Sequence, residues 1–304
     1  VAFSEGFFTE VPAFRQGPLY ISPVNLESIL FNAELYDNAA DVASETVDLN
    51  GRKALMTKSA TQALDIALAQ LGLKSHQEIW ILTTTNNSYI SSCVTSTIEQ
   101  HCRWNRDLSK NTAAILVNHE FGFCYPDLAQ LKKFNLPIIE DAAYSMFSNN
   151  EEKSAGTIGD YVIYSLAKMF PVSSGGLLVS NGEVLPKSPL SNEEQRFFYN
   201  VFDHYYALKD TISNQRKTVY SWYCEAFSVL HLEPRFKLNE KDVPGAFLFK
   251  TPKQSLDKLK IQLQGLGIEC SVFYGENTFY LPCHQNMNKQ HVHYLAVLIK
   301  SLLK

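Results

Sequence analysis

The 304-residue sequence predicts an α/β fold, a mainly parallel central sheet covered by helices, joined to a small C-terminal α+β domain. Three observations carry this expectation. From about Val47 to Ser180 short apolar runs alternate with amphipathic stretches, the rhythm of strands and helices taking turns. At Asn181 the chain turns to NGEVLPKSPLSNEEQ, rich in Gly, Pro and polar residues. Past that stretch, strand-like and helical runs resume on a smaller scale. The change of tone divides the chain into residues 1–185, a large α/β domain with an N-terminal arm, and residues 186–304, a helical connection and the small domain.

Each element follows from its own pattern. ATQALDIALAQL, from Ala60 to Leu71, places Ala63, Leu64, Ala67, Leu68 and Leu71 on one helical face, and Gly72 stops the helix. EIWIL from Glu78, AAILVN from Ala113, PIIED from Pro137, YVIYSL from Tyr161 and GLLVS from Gly176 each read as a buried strand. A Tyr- and Phe-rich helical segment runs from about Asn192 to Leu230. AFLFK from Ala246, a helix from about Lys253 to Leu266, CSVFYG from Cys270 and a helix from Gln290 to Leu303 form the closing unit.

Composition removes several function classes. A net charge of −4 with only seven Arg leaves no basic field for nucleic acid or anionic lipid. No run approaches the roughly 18 to 20 apolar residues of a membrane span, and the most apolar tail, Tyr294 to Leu303, is broken by Lys300. VAFSEGFF lacks the features of a signal peptide, and the six scattered cysteines form no C-x-x-C pair. The expected setting is therefore a reducing cytoplasm, with no metal site. H-E-x-x-H, G-x-S-x-G and the phosphate-binding G-x-x-x-x-G-K-[ST] are all missing.

The strongest local signal is Ile138-Ile139-Glu140-Asp141-Ala142-Ala143-Tyr144, then Ser165-Leu166-Ala167-Lys168, then Gly175-Gly176. Asp141 alone reads as an ordinary helix cap, and Lys168 alone as a solvated lysine. Their order alters that reading, because a parallel sheet gathers its strand ends into one crevice. A lysine able to form a Schiff base and a carboxylate able to face a pyridine nitrogen suit pyridoxal 5'-phosphate.

With these residues the sequence resembles the fold-type I pyridoxal-phosphate aminotransferases, and among them the DegT/DnrJ/EryC1/StrS group of sugar aminotransferases, over most of residues 47 to 180. The resemblance implies that Ser59-Ala60-Thr61-Gln62-Ala63-Leu64 opens the helix that holds the cofactor phosphate, with Thr61 and Gln62 as ligands; unpaired N–H groups at a helix start suit an anion independently. Tyr89, in Ser88-Tyr89-Ile90-Ser91-Ser92, looks like the aromatic residue that stacks on the pyridine ring, and His119, in His119-Glu120-Phe121-Gly122, like the histidine of the family's His-x-x-Gly turn. Their bland readings, a core tyrosine and a structural histidine, stay open. The resemblance makes Asp141 the partner of the pyridine nitrogen, Ser165 a second phosphate ligand and Lys168 the catalytic residue.

The chain departs from the family's pattern in places. Tyr144 stands where the sugar group has Gln, as in the more distant aspartate aminotransferases, whose tyrosine hydroxyl bonds the cofactor's phenolic oxygen. No Gly-x-Asn-x-Arg segment lies in residues 181 to 245, where the family serves the neighbouring subunit's phosphate, and a substrate-side loop is absent between Tyr274 and Leu281. By resemblance the expected activity is transfer of an amino group from an amino acid, L-glutamate, to a nucleotide-linked keto sugar, in a homodimer. The retained lysine speaks against the family's dehydratase branch, where histidine replaces it. A fold-type I enzyme with another acceptor, and a catalytically degenerate scaffold, remain as alternatives.

Overall fold

The computed structural model describes residues 17–37, 46–49, 51–149, 155–181, 185–251 and 256–303. Packing groups the chain into two units, one within Ser22–Lys209 and Glu240–Val243, the other within Val1–Ile21, Asp210–Asn239 and Pro244–Lys304. The strands of the larger unit are β1 (Thr46–Leu49), β2 (Arg52–Thr57), β3 (Glu78–Thr83), β4 (Arg103–Asn105), β5 (Thr112–Asn118), β6 (Ile138–Asp141), β7 (Tyr161–Ser165) and β8 (Gly176–Ser180). They form one sheet in the order β1-β2-β8-β7-β6-β5-β3-β4. From β7 to β4 the strands run parallel; β8, β2 and β1 are antiparallel to their neighbours.

Period-two alternation distributes the apolar residues over both faces. Ile79, Ile81, Ala114, Leu116 and Ile139 pack with α2 (Ala60–Leu71) and α3 (Ser92–Glu99) on one side, while Leu82, Ile115, Val117 and Ile138 pack with Leu128 and Leu131 on the other. Cover on both faces is why these strands read as continuous apolar runs. β1, β2 and β4 escape that signal: β4 is the three polar-leaning residues RWN at the sheet edge, and β1 is a four-residue strand that exposes Asp48.

α2 has the bounds its periodicity predicts. Ser59 Oγ accepts the N–H of Gln62 at 3.1 Å, the Gln62 side chain accepts the N–H of Lys58 at 2.8 Å, and Gly72 ends the helix at φ 59°. Gly176 lets β8 pass close beneath this start, since a Cβ there would lie 2.5 Å from the Ser59 carbonyl carbon and 2.6 Å from the Ala60 nitrogen. Its neighbour Gly175, at φ 105°, donates its N–H to Lys58 O at 2.8 Å and accepts that of Leu166 at 3.0 Å. Two glycines thereby bring together the start of α2 and the start of α4 (Leu166–Met169).

The β6–β7 connection is held by a fully buried carboxylate. Glu140 accepts N–H groups from Gly156 at 2.6 Å, Ile158 at 2.9 Å and Gly159 at 2.5 Å, and its Oε2 lies 2.9 Å from His119 Nε2. Because His119 Nδ1 accepts the N–H of Tyr125 at 3.0 Å, Nε2 carries the proton and donates it. Burial alone would raise the Glu140 pKa, but His119 and the backbone donors outweigh it and hold the carboxyl below its usual range.

The helical segment expected between Asn192 and Leu230 is two helices, α5 (Asn192–Ala207) and α6 (Lys209–Ser228), parted at Leu208 with φ −94° and ψ 10°. α5 belongs to the larger unit, so packing divides the chain at Lys209, whereas the composition changes where the sheet ends. The smaller unit has an antiparallel sheet β10-β11-β9, from β9 (Ala246–Lys250), β10 (Ser271–Phe273) and β11 (Thr278–Pro282), with α7 (Leu256–Gly265) and α8 (Lys289–Leu302). The expected start of α7 at Lys253 lies outside the described residues. Phe273 pairs with Thr278, so only the four residues 274–277 connect β10 to β11. No helix among the described residues is long and apolar enough to cross a membrane.

Two outcomes are expected. Gly176→Ala drives a methyl group into backbone atoms and should cost about 1–3 kcal/mol, read from the urea midpoint. For Glu140 the depressed folded-state pKa means that its stabilisation is present above the ordinary value of 4.5 and is lost as pH falls through the lower folded value. Glu140→Gln, which turns an NH2 toward donors, should lower the midpoint at neutral pH and flatten its acid dependence below pH 4.5.

Candidate active site

The carboxyl ends of the parallel strands collect polar residues in register. Thr83 pairs with Asn118 and Asn118 with Asp141, a row across β3, β5 and β6. At the end of β7, Ser165 pairs with Gly176, which also pairs with Thr57. This is the edge at which open α/β sheets bind ligands.

Asp141 is the electrostatic centre of the row. It is 8% exposed, and its carboxylate accepts Asn118 Nδ2 at 2.8 Å and the Ala143 N–H at 3.2 Å. Among the described residues no cation forms an ion pair with it. Burial raises its pKa, opposed by the Ala143 and Asn118 hydrogen bonds and by the nearby His119. A buried carboxylate short of a positive partner suits a protonated ring nitrogen, so the residues present fit pyridoxal phosphate.

Lys168 is carried by α4, directly after β7, and its Nζ lies 5.2 Å from the centroid of the Tyr144 ring. The structure therefore brings Lys168 to Tyr144, which follows Asp141 by three residues. The Tyr144 ring in turn lies 5.2 Å from that of Phe121. Ser165 is the N-cap residue of α4, yet its hydroxyl makes no capping bond, leaving it available to a ligand.

At the start of α2, Thr61 is exposed and its backbone N–H, with that of Ala60, has no acceptor among the described residues. Gln62 is placed differently: its backbone N–H donates to Ser59 Oγ and its side-chain oxygen accepts the N–H of Lys58. His119 likewise commits both ring nitrogens, to Glu140 and to Tyr125. Tyr89 is half-buried and its N–H donates to Asn87 Oδ1 at 2.7 Å. Sequence reasoning missed Asn118, whose position at the end of an apolar run before His119 was its available signal. It also missed Phe121 against Tyr144, and for that the linear sequence carries no signal.

Residues 48–189 match the DegT/DnrJ/EryC1/StrS aminotransferase family. A UDP-4-amino-4,6-dideoxy-N-acetyl-beta-L-altrosamine transaminase of Campylobacter jejuni subsp. jejuni serotype O:23/36 (strain 81-176) is 25% identical over 178 residues, 52% of this chain and 47% of the relative. The chain thus spans about half the length of the relatives it matches in sequence. In structure, DesI in the presence of its TDP-sugar product superimposes with a TM-score of 0.74 at 16% identity, over 97% of this chain and 95% of DesI. The GDP-4-keto-6-deoxy-D-mannose-3-dehydratase of E. coli with bound hydrated PLP gives 0.70 at 16% identity, over 94% and 99%. At such identities the likeness is one of fold, that of the fold-type I pyridoxal-phosphate enzymes. The match to the DegT/DnrJ/EryC1/StrS aminotransferase family thus covers residues 48–189, which contain Lys168 and the whole row of strand ends around Asp141.

Proposed function

We propose that the chain is a pyridoxal-phosphate-dependent aminotransferase that moves an amino group from an amino acid, L-glutamate, to a nucleotide-linked keto sugar. The observation that carries this reading is Asp141, a buried carboxylate with no ion pair among the described residues, three residues before the ring over which Lys168 sits. When bound, pyridoxal phosphate supplies an electron sink for a developing carbanion. Asp141 would hold the proton on the ring nitrogen, oriented by Asn118 and Ala143. Lys168 Nζ would take a proton from the donor's α-carbon and return it on the far side of the donor nitrogen, the work of a positioned general base and acid. The free N–H groups at the start of α2, with Thr61 and Ser165, would bind the phosphate. Tyr144 and Tyr89 would orient the ring, with His119 behind it. A scaffold that had lost catalysis would gain stability by replacing Asp141, and its retention supports an active enzyme.

Two further parts of the reading have support of their own. Six free cysteines fit the reducing conditions of the cytoplasm. A homodimer fits α1 (Leu26–Asp37), whose amphipathicity is inverted: Ser28 and Asn32 are buried, Asn32 between Pro171 O and Tyr205 Oη, while Leu26, Ile29 and Leu30 are 71%, 54% and 59% exposed. An exposed apolar stripe of this kind marks an interaction surface.

The central experiment is absorbance spectroscopy with added pyridoxal phosphate. The wild type should develop a visible band that Lys168→Ala lacks, and glutamate should bleach it; a wild type without a band refutes the cofactor, and a band indifferent to glutamate refutes the donor. Asp141→Asn removes a group whose raised pKa costs stability at neutral pH. Its cofactor-free form should therefore melt no lower than wild type, while cofactor affinity drops at least about tenfold. Ile29→Asp should shift a dimer toward monomer in analytical ultracentrifugation without moving the cofactor band.

A further inference from the structure

Residues 84–91 join β3 to α3 and carry Tyr89, and their shape has a cost. Asn86 lies in the left-handed region at φ 55°, and so does Phe121, at φ 52°, in the turn that follows β5. One side chain ties these two segments together. Glu120 is 2% exposed; its Oε1 accepts the side-chain amide of Asn87 at 2.6 Å and the N–H of Thr85 at 2.9 Å, and its Oε2 accepts the Thr85 hydroxyl at 3.2 Å. The N–H of Glu120 donates to Thr84 Oγ1 at 2.9 Å, and that hydroxyl donates to Phe123 O at 2.7 Å.

Asn87 passes the constraint on. Its Oδ1 accepts the N–H of Tyr89 at 2.7 Å, and its carbonyl accepts a hydrogen bond from Arg106. A carboxylate and a guanidinium thereby grip one buried residue from two sides, where each lost bond strands a polar group. The same turn places Phe121 against Tyr144, the ring beneath Lys168.

We infer that Glu120 is a positioning residue for the cofactor site: through Asn87 it fixes the backbone from which Tyr89 reaches the pyridine ring. The inference rests on the cofactor reading above. It assigns Glu120 no contact with cofactor or substrate. Truncating Glu120 leaves Lys168 and Asp141 in place but releases the Tyr89 backbone, so the ring loses part of its orientation. Glu120→Gln keeps an oxygen for Asn87 and Thr85 N–H and turns its NH2 toward the Thr85 hydroxyl, so it restores most of the tie.

The test titrates cofactor-free wild type, Glu120→Ala, Glu120→Gln and Asn87→Ala with pyridoxal phosphate, following absorbance and induced circular dichroism. Hydrogen exchange at the Tyr89 amide is measured in the same cofactor-free proteins. Glu120→Ala and Asn87→Ala should weaken cofactor affinity about tenfold, alter the induced dichroism and speed Tyr89 exchange, while Glu120→Gln stays within about twofold of wild type. If Glu120→Ala does not fold, Asn87→Ala carries the test alone. A wild type that binds the cofactor, with unchanged affinity and dichroism in the folded variants even where their melting points drop, overturns the inference and leaves the cofactor reading intact. A wild type that binds no cofactor overturns both.

Discussion

The site depends on one buried carboxylate that no ligand touches. Glu140 closes four hydrogen bonds at the end of β6, from three backbone N–H groups of the β6–β7 connection and from His119. An ion inside a sheet is tolerable only when its lone pairs are met, and here they are. The bonds draw the 156–159 segment against β6 and lock the tautomer and ring position of His119 at the end of β5. Gly159 has no side chain because a Cβ there would meet Glu140 Cγ at 2.9 Å. The strand ends that receive the chemistry are therefore set by a group behind them.

Glu140 and Asp141 are adjacent in sequence and opposite in character. A strand turns successive side chains to opposite faces, so the two carboxylates meet different surroundings. Glu140 meets four donors and titrates low; Asp141 meets two, forms no ion pair among the described residues and titrates high. The first contributes stability at neutral pH, and the second gives some of it up. Burying the second with no ion pair among the described residues is the more costly choice, and under the proposed function that cost would prepare a seat for a positively charged ring nitrogen.

The end of the candidate site at which the proposed function would seat a phosphate rests on backbone rather than charge. Ser59 Oγ caps the N–H of Gln62, and the N–H groups of Ala60 and Thr61 have no acceptor among the described residues. Gly175 and Gly176 let β8 and the start of α4 approach that helix to distances a side chain would forbid. Ser165 begins α4 without spending its hydroxyl on the cap. The exposed start of α2 and the placement of Lys168 are thus one packing problem, solved by absent side chains.

Much of this was legible in the sequence. The five buried strands, α2 with its Gly72 stop and the order Asp141, Ser165, Lys168, Gly175-Gly176 are all local patterns, because strands covered on both faces need unbroken apolar runs and helix ends need their own capping residues. The roles of Gln62 and His119 were not, since a residue's type does not say whether its polar atoms are already engaged by neighbours. Nor were β4, the break at Leu208 or the inverted face of α1, where the deciding partner lies elsewhere in the chain. By itself the sequence determined which residues stand at strand ends, because periodicity is written along the chain. Only the tertiary structure decided that Asn118 orients Asp141, that Glu120 grips the segment bearing Tyr89 and that Lys168 rests over Tyr144. Those depend on register between strands distant in sequence, and register is fixed by packing across the sheet.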